Sequence, residues 1–175
     1  MEKVYKVTIT YVNNKVYFTE WRDFSSGLVH RKDGPAAEYA DGERHWYIDG
    51  KRHREDGPAA EYANGDKYWY KNNLIHREDG PAVEDVYGAK FWYKNDKLHR
   101  EDGPAVENAN GRKAWYFNGR FHRENGPAIE EPNGEKFYYL HGRKVTEAEV
   151  MRKPVSTCDG KVIEIEGKKY QLKEI

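Results

Sequence analysis

The sequence predicts an all-β protein: an elongated, single-layer antiparallel sheet of tandem hairpin repeats, with terminal caps and one short C-terminal helix. Three observations carry this expectation. A His-Arg-x-Asp/Asn-Gly-Pro-Ala motif begins at His30, His53, His76, His99 and His122, a period of 23 residues without insertion or deletion. Turn-forming dipeptides recur twice within the period. The segments between them, such as Lys67-Tyr68-Trp69-Tyr70-Lys71, are rich in strand-favouring aromatic residues and show no helical periodicity.

Residues 1–29 read as an N-terminal capping hairpin. Lys6–Tyr11 and Lys15–Phe18 flank Asn13-Asn14, a pair that tolerates positive φ. Residues 30–144 hold the five repeats. In register within them run Glu38, Glu61, Glu84, Glu107 and Glu130, then Gly42, Gly65, Gly88, Gly111 and Gly134. Trp46, Trp69, Trp92 and Trp115 align with Tyr138 as the fifth, followed by Tyr47, Tyr70, Tyr93, Tyr116 and Tyr139. Asp41-Gly42, Asn64-Gly65, Asn110-Gly111 and Asn133-Gly134 predict two-residue type I′ turns. A second turn is expected at Asp49-Gly50, Asn72-Asn73, Asn95-Asp96 and Asn118-Gly119. Each unit is then a short aromatic strand and a longer one, with a bulge or bend at Asp-Gly-Pro because proline cannot donate to a ladder. Five units give about ten strands in one meander.

Residues 145–175 read as a C-terminal cap. Thr146-Glu147-Ala148-Glu149 has the capping-box pattern of a short helix ending before Pro154. Val162–Ile165 and Lys169–Leu172 around Glu166-Gly167 read as a closing hairpin. Repeat arrays need such caps because their terminal units expose unpaired edges.

If both turns are ideal two-residue reversals, pairing can be counted outwards from them. Glu61 then faces Tyr68 and Ala60 faces Trp69; across the second turn, Tyr70 faces Ile75 and Trp69 faces His76. One face would carry Trp69, His76, Tyr62 and the lysines. The other would carry Tyr68, Tyr70, Ile75, Glu61 and Arg77, and in the next unit Phe91, Tyr93, Leu98, Glu84 and Arg100.

Composition narrows the function. Lys+Arg and Asp+Glu number 30 each, for a formal net charge of zero, whereas proteins that track phosphate backbones usually carry a basic excess; nucleic acid is not the expected partner. No stretch approaches the roughly 20 apolar residues of a membrane span, and the charged start Met1-Glu2-Lys3-Val4-Tyr5-Lys6 is unlike a signal peptide. Cys158 stands alone, so no intramolecular disulfide can form; the expectation is a cytoplasmic protein without membrane insertion. The motif histidines should recur two strands apart, roughly 10 Å, too far to converge on one zinc ion. The in-register Arg and Glu columns read as fold-maintaining ion pairs, with Arg lying on aromatic rings. Catalytic geometry is normally singular, and no nucleophile–base set, P-loop or HExxH pattern is present. Neither an enzyme nor a cofactor is expected.

Trp115-Tyr116-Phe117-Asn118-Gly119-Arg120-Phe121-His122 with Gly126 resembles the W-x-x-G-K-x-H-G-x-G core of MORN repeats. The likeness spans residues 30–144 and implies hairpin units in an elongated single-layer sheet. His-Arg-Glu-Asp-Gly-Pro-Ala stands where those repeats carry a glycine-rich segment. The arrays are also similar to ones in bacteriophage proteins, which implies a viral origin and hence a host cytoplasm as the site of action.

Positions identical in every unit serve the shared fold; positions that vary are free of that demand. Two columns vary, His45/Tyr68/Phe91/Ala114/Phe137 and Arg52/Ile75/Leu98/Phe121/Lys144, apolar in the middle units and polar at the ends. The expected partner-binding strip is Tyr68, Ile75, Phe91, Leu98 and Phe121 with Tyr70 and Tyr93. Its occupant would be another protein; given the viral resemblance, a host protein of antiviral defence that this chain inhibits by occlusion. Two alternatives stay open: a sponge that grips a small nucleotide signal between aromatics and Arg77 and Arg100, or an architectural protein that self-associates through a sheet edge or face.

Overall fold

The computed structural model describes residues 4–151 together with the strands Val162–Ile165 and Lys168–Gln171. Cys158, Pro154, Leu172 and the Glu166-Gly167 turn lie outside the described residues. The chain opens with β1 (Tyr5–Val12) and β2 (Lys15–Asp23). The first unit holds β3 (Ala37–Tyr39), β4 (Arg44–His45), β5 (Tyr47–Ile48) and β6 (Lys51–Arg52); the second β7 (Ala60–Glu61), β8 (Lys67–Tyr68), β9 (Tyr70–Lys71) and β10 (Leu74–Ile75). The third holds β11 (Val83–Glu84), β12 (Lys90–Phe91), β13 (Tyr93–Lys94) and β14 (Lys97–Leu98); the fourth β15 (Val106–Glu107), β16 (Lys113–Ala114), β17 (Tyr116–Phe117) and β18 (Arg120–Phe121). The fifth has β19 (Ile129–Glu130), β20 (Lys136–Leu140) and β21 (Arg143–Val145), followed by α1 (Glu147–Met151), then β22 (Val162–Ile165) and β23 (Lys168–Gln171).

A 13-stranded antiparallel sheet runs β1-β2-β3-β4-β7-β8-β11-β12-β15-β16-β19-β20-β21. Eleven of these strands come from the repeats: two from each unit, as the meander requires, and β21, the fifth unit's counterpart of a ribbon strand. Beside the sheet, β5–β6, β9–β10, β13–β14 and β17–β18 pair as short ribbons. The aromatic segment of each unit thus divides at its Trp, the first half in the sheet and the second in a ribbon.

The Trp backbone explains the division. Trp46 N–H donates to Ala59 C=O (2.9 Å), and Trp46 C=O accepts from His53 N–H (3.1 Å). One residue therefore grips both feet of the His-Arg-Glu-Asp-Gly-Pro loop, which bulges out of the longer strand. The same pair of bonds recurs at Trp69, Trp92 and Trp115. In the fifth unit there is no following loop to grip: Tyr138 pairs with Val145, and β20 runs unbroken.

The two turns of a unit differ, and here the sequence expectation fails. Asp49-Gly50, Asn72-Asn73, Asn95-Asp96 and Asn118-Gly119 all have positive φ at both residues, as type I′ turns require. At Asn64-Gly65 and its equivalents only the glycine does (Gly65 φ 99). Gly65 N–H bonds to Tyr62 C=O (2.9 Å) and Tyr62 N–H to Asp66 C=O (2.9 Å), a three-residue loop with a glycine bulge. The side chain of Asn64 spends its acceptor on Asp66 N–H (3.0 Å), which favours this local geometry.

The extra loop residue shifts the register by one and exchanges faces. Ala60 faces Tyr68, and Glu61 faces Lys67. Glu61 and Glu84 therefore leave the face of Tyr68, and Tyr62 joins it, its ring 5.1 Å from that of Tyr68. On the other face the cross-strand register reads Glu38, Arg44, Glu61, Lys67, Glu84, Lys90, Glu107, Lys113, Glu130, Lys136, an unbroken alternation of sign. Opposite charges directly across a sheet stabilise by roughly 0.2–1 kcal/mol a pair.

Both predicted flanking elements form. In the opening hairpin Asn13 and Asn14 have positive φ, and β2 runs further than expected, to Asp23. At the other end Thr146 and Glu149 close a reciprocal capping box: Thr146 N–H donates to Glu149 Oε2 (2.7 Å) and Glu149 N–H to Thr146 Oγ1 (3.3 Å). In the closing hairpin Ile165 faces Lys168.

Candidate functional site

Each motif arginine folds back inside its loop and lies flat on a tryptophan. The guanidinium carbon sits 4.3, 4.2, 4.2, 4.1 and 3.8 Å from the rings of Trp21, Trp46, Trp69, Trp92 and Trp115, for Arg31, Arg54, Arg77, Arg100 and Arg123. Its other face is covered by the motif glycine. A Cβ on Gly57 would stand 2.9 Å from Arg54 Cζ, and one on Gly103 2.8 Å from Arg100 Cζ. Glycine is needed there for space, not for positive φ. Nη1 donates to the proline carbonyl four residues on (Arg100 to Pro104, 3.2 Å), and in the first four units Nε donates to the motif aspartate (Arg100 to Asp102, 2.8 Å). Arg100 and Arg123 also reach the Glu column, at 3.0 Å to Glu107 and 2.9 Å to Glu130. The arginine holds the Asp56, Asp79 and Asp102 carboxyls below their ordinary range, chiefly by this hydrogen bond.

Trp21 completes the series from outside the repeats. Its N–H donates to Ala36 C=O (2.9 Å) and its C=O accepts from His30 N–H (3.0 Å), the grip seen at Trp46. Two additional residues between Trp21 and His30, relative to Trp46 and His53, take it out of the 23-residue register and hid it from the sequence comparison.

The motif histidines stitch neighbouring ribbons. Nδ1 of His30, His53, His76, His99 and His122 accepts the N–H of Asp49, Asn72, Asn95, Asn118 and His141, between 3.0 and 3.3 Å. Each accepting residue lies 19 positions before its donor, which opens the turn of the next ribbon. At His76, His99 and His122 an accepting Nδ1 puts the hydrogen on Nε2; Nδ1 of His30 and His53 also lies 2.7 Å from Asp49 Oδ1 and 3.2 Å from Asn72 Oδ1. Burial, with the neighbouring His141 ring, pushes the His122 pKa below its ordinary value.

The strip residues do share a face. Tyr68 and Phe91 both stand opposite Val83; Tyr70 faces Ile75, Tyr93 faces Leu98 and Tyr116 faces Phe121. Phe91, Leu98 and Phe121 pack with Tyr116, Phe137 and Tyr139 against buried Val106, Ala114 and Ile129. Tyr68, Ile75, Tyr70 and Tyr93 extend the surface beyond that cluster and are half-buried. Cations close both ends: Arg52 lies over Tyr47 and Tyr70, and Lys144 over Phe137 (5.3 Å). Burial raises the pKa of Tyr68, Tyr93 and Tyr116, so these hydroxyls stay neutral at physiological pH.

Arg77 and Arg100 are not part of this face. They lie on Trp69 and Trp92 and reach the Glu column, which occupies the opposite side. A grip on one small ligand by the aromatic strip and the motif arginines together is therefore not assembled.

The opposite side carries open grooves between successive loops. One of about 600 Å³ is lined by Arg54, Trp69, His76 and Arg77 with Glu55 and Asp79 at its lip; a larger one of about 1050 Å³ lies between the last two loops and α1. Among the described residues no three His, Cys, Asp or Glu side chains converge as metal ligands. One surface residue escaped the sequence reading. Tyr87, 82% exposed, sits at the turn before β12, where the other units have Asp41, Asn64, Asn110 and Asn133. The signal was the break in that column.

No helix among the described residues is long and apolar enough to cross a membrane. No protein-family profile matches the sequence, and no curated protein matches it.

Proposed function

We propose that the chain is a non-enzymatic, MORN-like hairpin array that binds another protein through the strip Tyr68, Tyr70, Ile75, Phe91, Tyr93, Leu98 and Phe121. The observation that supports this is the pairing of an apolar face with cationic ends: half-buried aromatics form its middle, and Arg52 and Lys144 flank it. Such a rimmed apolar surface is the anatomy of a protein interface, and rigid aromatic anchors supply most of the binding energy in such sites. The likeness of the repeats to arrays in bacteriophage proteins supports a host defence protein in the host cytoplasm as the partner, inactivated by occlusion.

Capture of partners from host lysate tests this reading. Tyr68→Ser with Ile75→Ser removes strip surface outside the packing shell of Val106, Ala114 and Ile129, so the β-type circular dichroism should persist while the partner is lost. Charge reversal of Glu78 and Asp79, on the groove side, should leave capture intact. Capture that survives the strip variant, or fails with the groove variant alone, overturns the assignment. Calorimetry against small nucleotides should give no heat.

A further inference from the structure

We infer that β1 is a homodimerisation edge, pairing antiparallel with β1 of a second copy so that the sheet continues through both molecules. The two ends of the sheet are built differently. At one end β21 is three residues long and is followed at once by α1, whose Val150 is buried. At the other, β1 presents eight residues, and among the described residues nothing pairs with its outer side.

The outward hydrogen-bonding groups can be identified from the register. Tyr5 faces Asp23 and Val7 faces Trp21. Trp21 turns its N–H to Ala36 and its C=O to His30, and Asp23 turns its N–H to Leu28, all away from β1. Val4, by contrast, accepts Phe24 N–H at 3.1 Å across the hairpin. In an antiparallel ladder this alternation puts the N–H and C=O of Tyr5, Val7 and Ile9 on the outer edge. The register irregularity between Thr10 and Tyr11 leaves Tyr17 as the extra residue on β2, so β1 itself runs uninterrupted and Tyr11 continues the series.

The edge has few of the devices that blunt such strands: no proline, no bulge of its own and a single charge, Lys6. Val7, Ile9 and Tyr11 lie on one face and are 46%, 46% and 60% exposed. The strand is also self-complementary. A two-fold axis at Thr8 places Thr8 against Thr8, Val7 against Ile9, Lys6 against Thr10 and Tyr5 against Tyr11. All apolar residues of that face meet each other, no like charges oppose, and the hydrogen-bonded positions are the outward-facing ones. A second copy satisfies every requirement the strand presents. Because strand pairing alone is small against the roughly 1,200 Å² of stable interfaces, the dimer should dissociate in the micromolar range.

Sedimentation of the full chain across a micromolar concentration series tests this, with expected growth of a dimer as concentration rises. Ile9→Pro deletes an outward N–H without touching the β1–β2 ladder, and should give a folded monomer throughout. Thr8→Cys in a Cys158→Ser background places the new thiols on the axis, at a non-hydrogen-bonded pair with Cα atoms ~4.5 Å apart, within disulfide reach. Mild oxidation should cross-link it, whereas Lys6→Cys in the same background should not cross-link. A wild-type chain that stays monomeric overturns the inference. So does a dimer that survives Ile9→Pro, and cross-linking through Lys6→Cys but not Thr8→Cys overturns the register.

Discussion

Replacing Gly103 by alanine sets two opposing effects against each other. The backbone of Gly103 is not at positive φ, so alanine fits its conformation. At such a site the substitution normally stabilises by about 0.4–1 kcal/mol, through the lower entropy of the unfolded chain. The new Cβ, however, would stand 2.8 Å from Arg100 Cζ, 3.0 Å from Nε and 3.1 Å from Nη2. The guanidinium must leave the Trp92 ring, where it lies 4.1 Å from the centroid, and give up its bonds to Pro104 and Glu107. A cation–π contact at a partly exposed site is worth about 0.5–1 kcal/mol, and the partly screened hydrogen bonds add about 1 kcal/mol together. Loss exceeds gain, leaving Gly103→Ala destabilised by roughly 1 kcal/mol, about 2–4 °C in Tm for a chain of this size. Thermal and urea unfolding measure it. In an Arg100→Ala background the clash is gone, so the same Gly103→Ala change should become neutral or stabilising. A single mutant more stable than wild type, or a double mutant without that reversal, would refute the sandwich as the reason for the motif glycine.

Four further outcomes are expected. Lys90→Glu sets three carboxylates in a row with Glu84 and Glu107; at roughly 0.2–1 kcal/mol for each of two cross-strand pairs it should cost about 1 kcal/mol, partly recovered in high salt. His122 has a lowered pKa in the fold, so the unfolded chain takes up the proton first. Its stabilising bond is fully present above the unfolded value of about 6.5 and is lost as pH falls through the lower folded value. Tm should drop across that window, less so in His122→Asn, whose amide oxygen can still accept the His141 N–H; a flat profile would exclude the bond as a contributor. For Asp56, Asp79 and Asp102, also lowered, stability is present above the ordinary carboxyl range and is lost only in stronger acid, seen as a second fall in Tm. Tyr87→Asn, at a site 82% exposed, should leave stability within about 0.5 kcal/mol of wild type, measured by urea midpoint.

Much of the architecture was legible because turn chemistry is local. Asn72-Asn73 and Asn118-Gly119 announced their two-residue reversals, and Thr146 with Glu149 announced the helix. Asn64-Gly65 misled because asparagine–glycine serves both a two-residue and a three-residue loop, and the difference of one residue moves Glu61, Tyr62 and Glu84 to other faces. The sequence did hold the means to choose. Glu61 with Lys67, Glu84 with Lys90 and Glu107 with Lys113 sit six apart, the spacing that opposes them across a three-residue loop. The strip survived the error because Tyr68, Phe91 and the ribbon pairs moved together. Arg77 and Arg100 did not, since the grip of each Trp on its loop is a tertiary contact that no spacing rule encodes.

The alternation of sign from Glu38 to Lys136 has a consequence for how such a chain can change length. Every odd rung is acidic and every even rung basic, so losing a single inner strand would set two like charges side by side at the new junction. Removing a full unit leaves each neighbour unchanged. The polarity of the ladder thus acts as a parity check, permitting growth or shrinkage of the protein by pairs of strands and penalising every odd step.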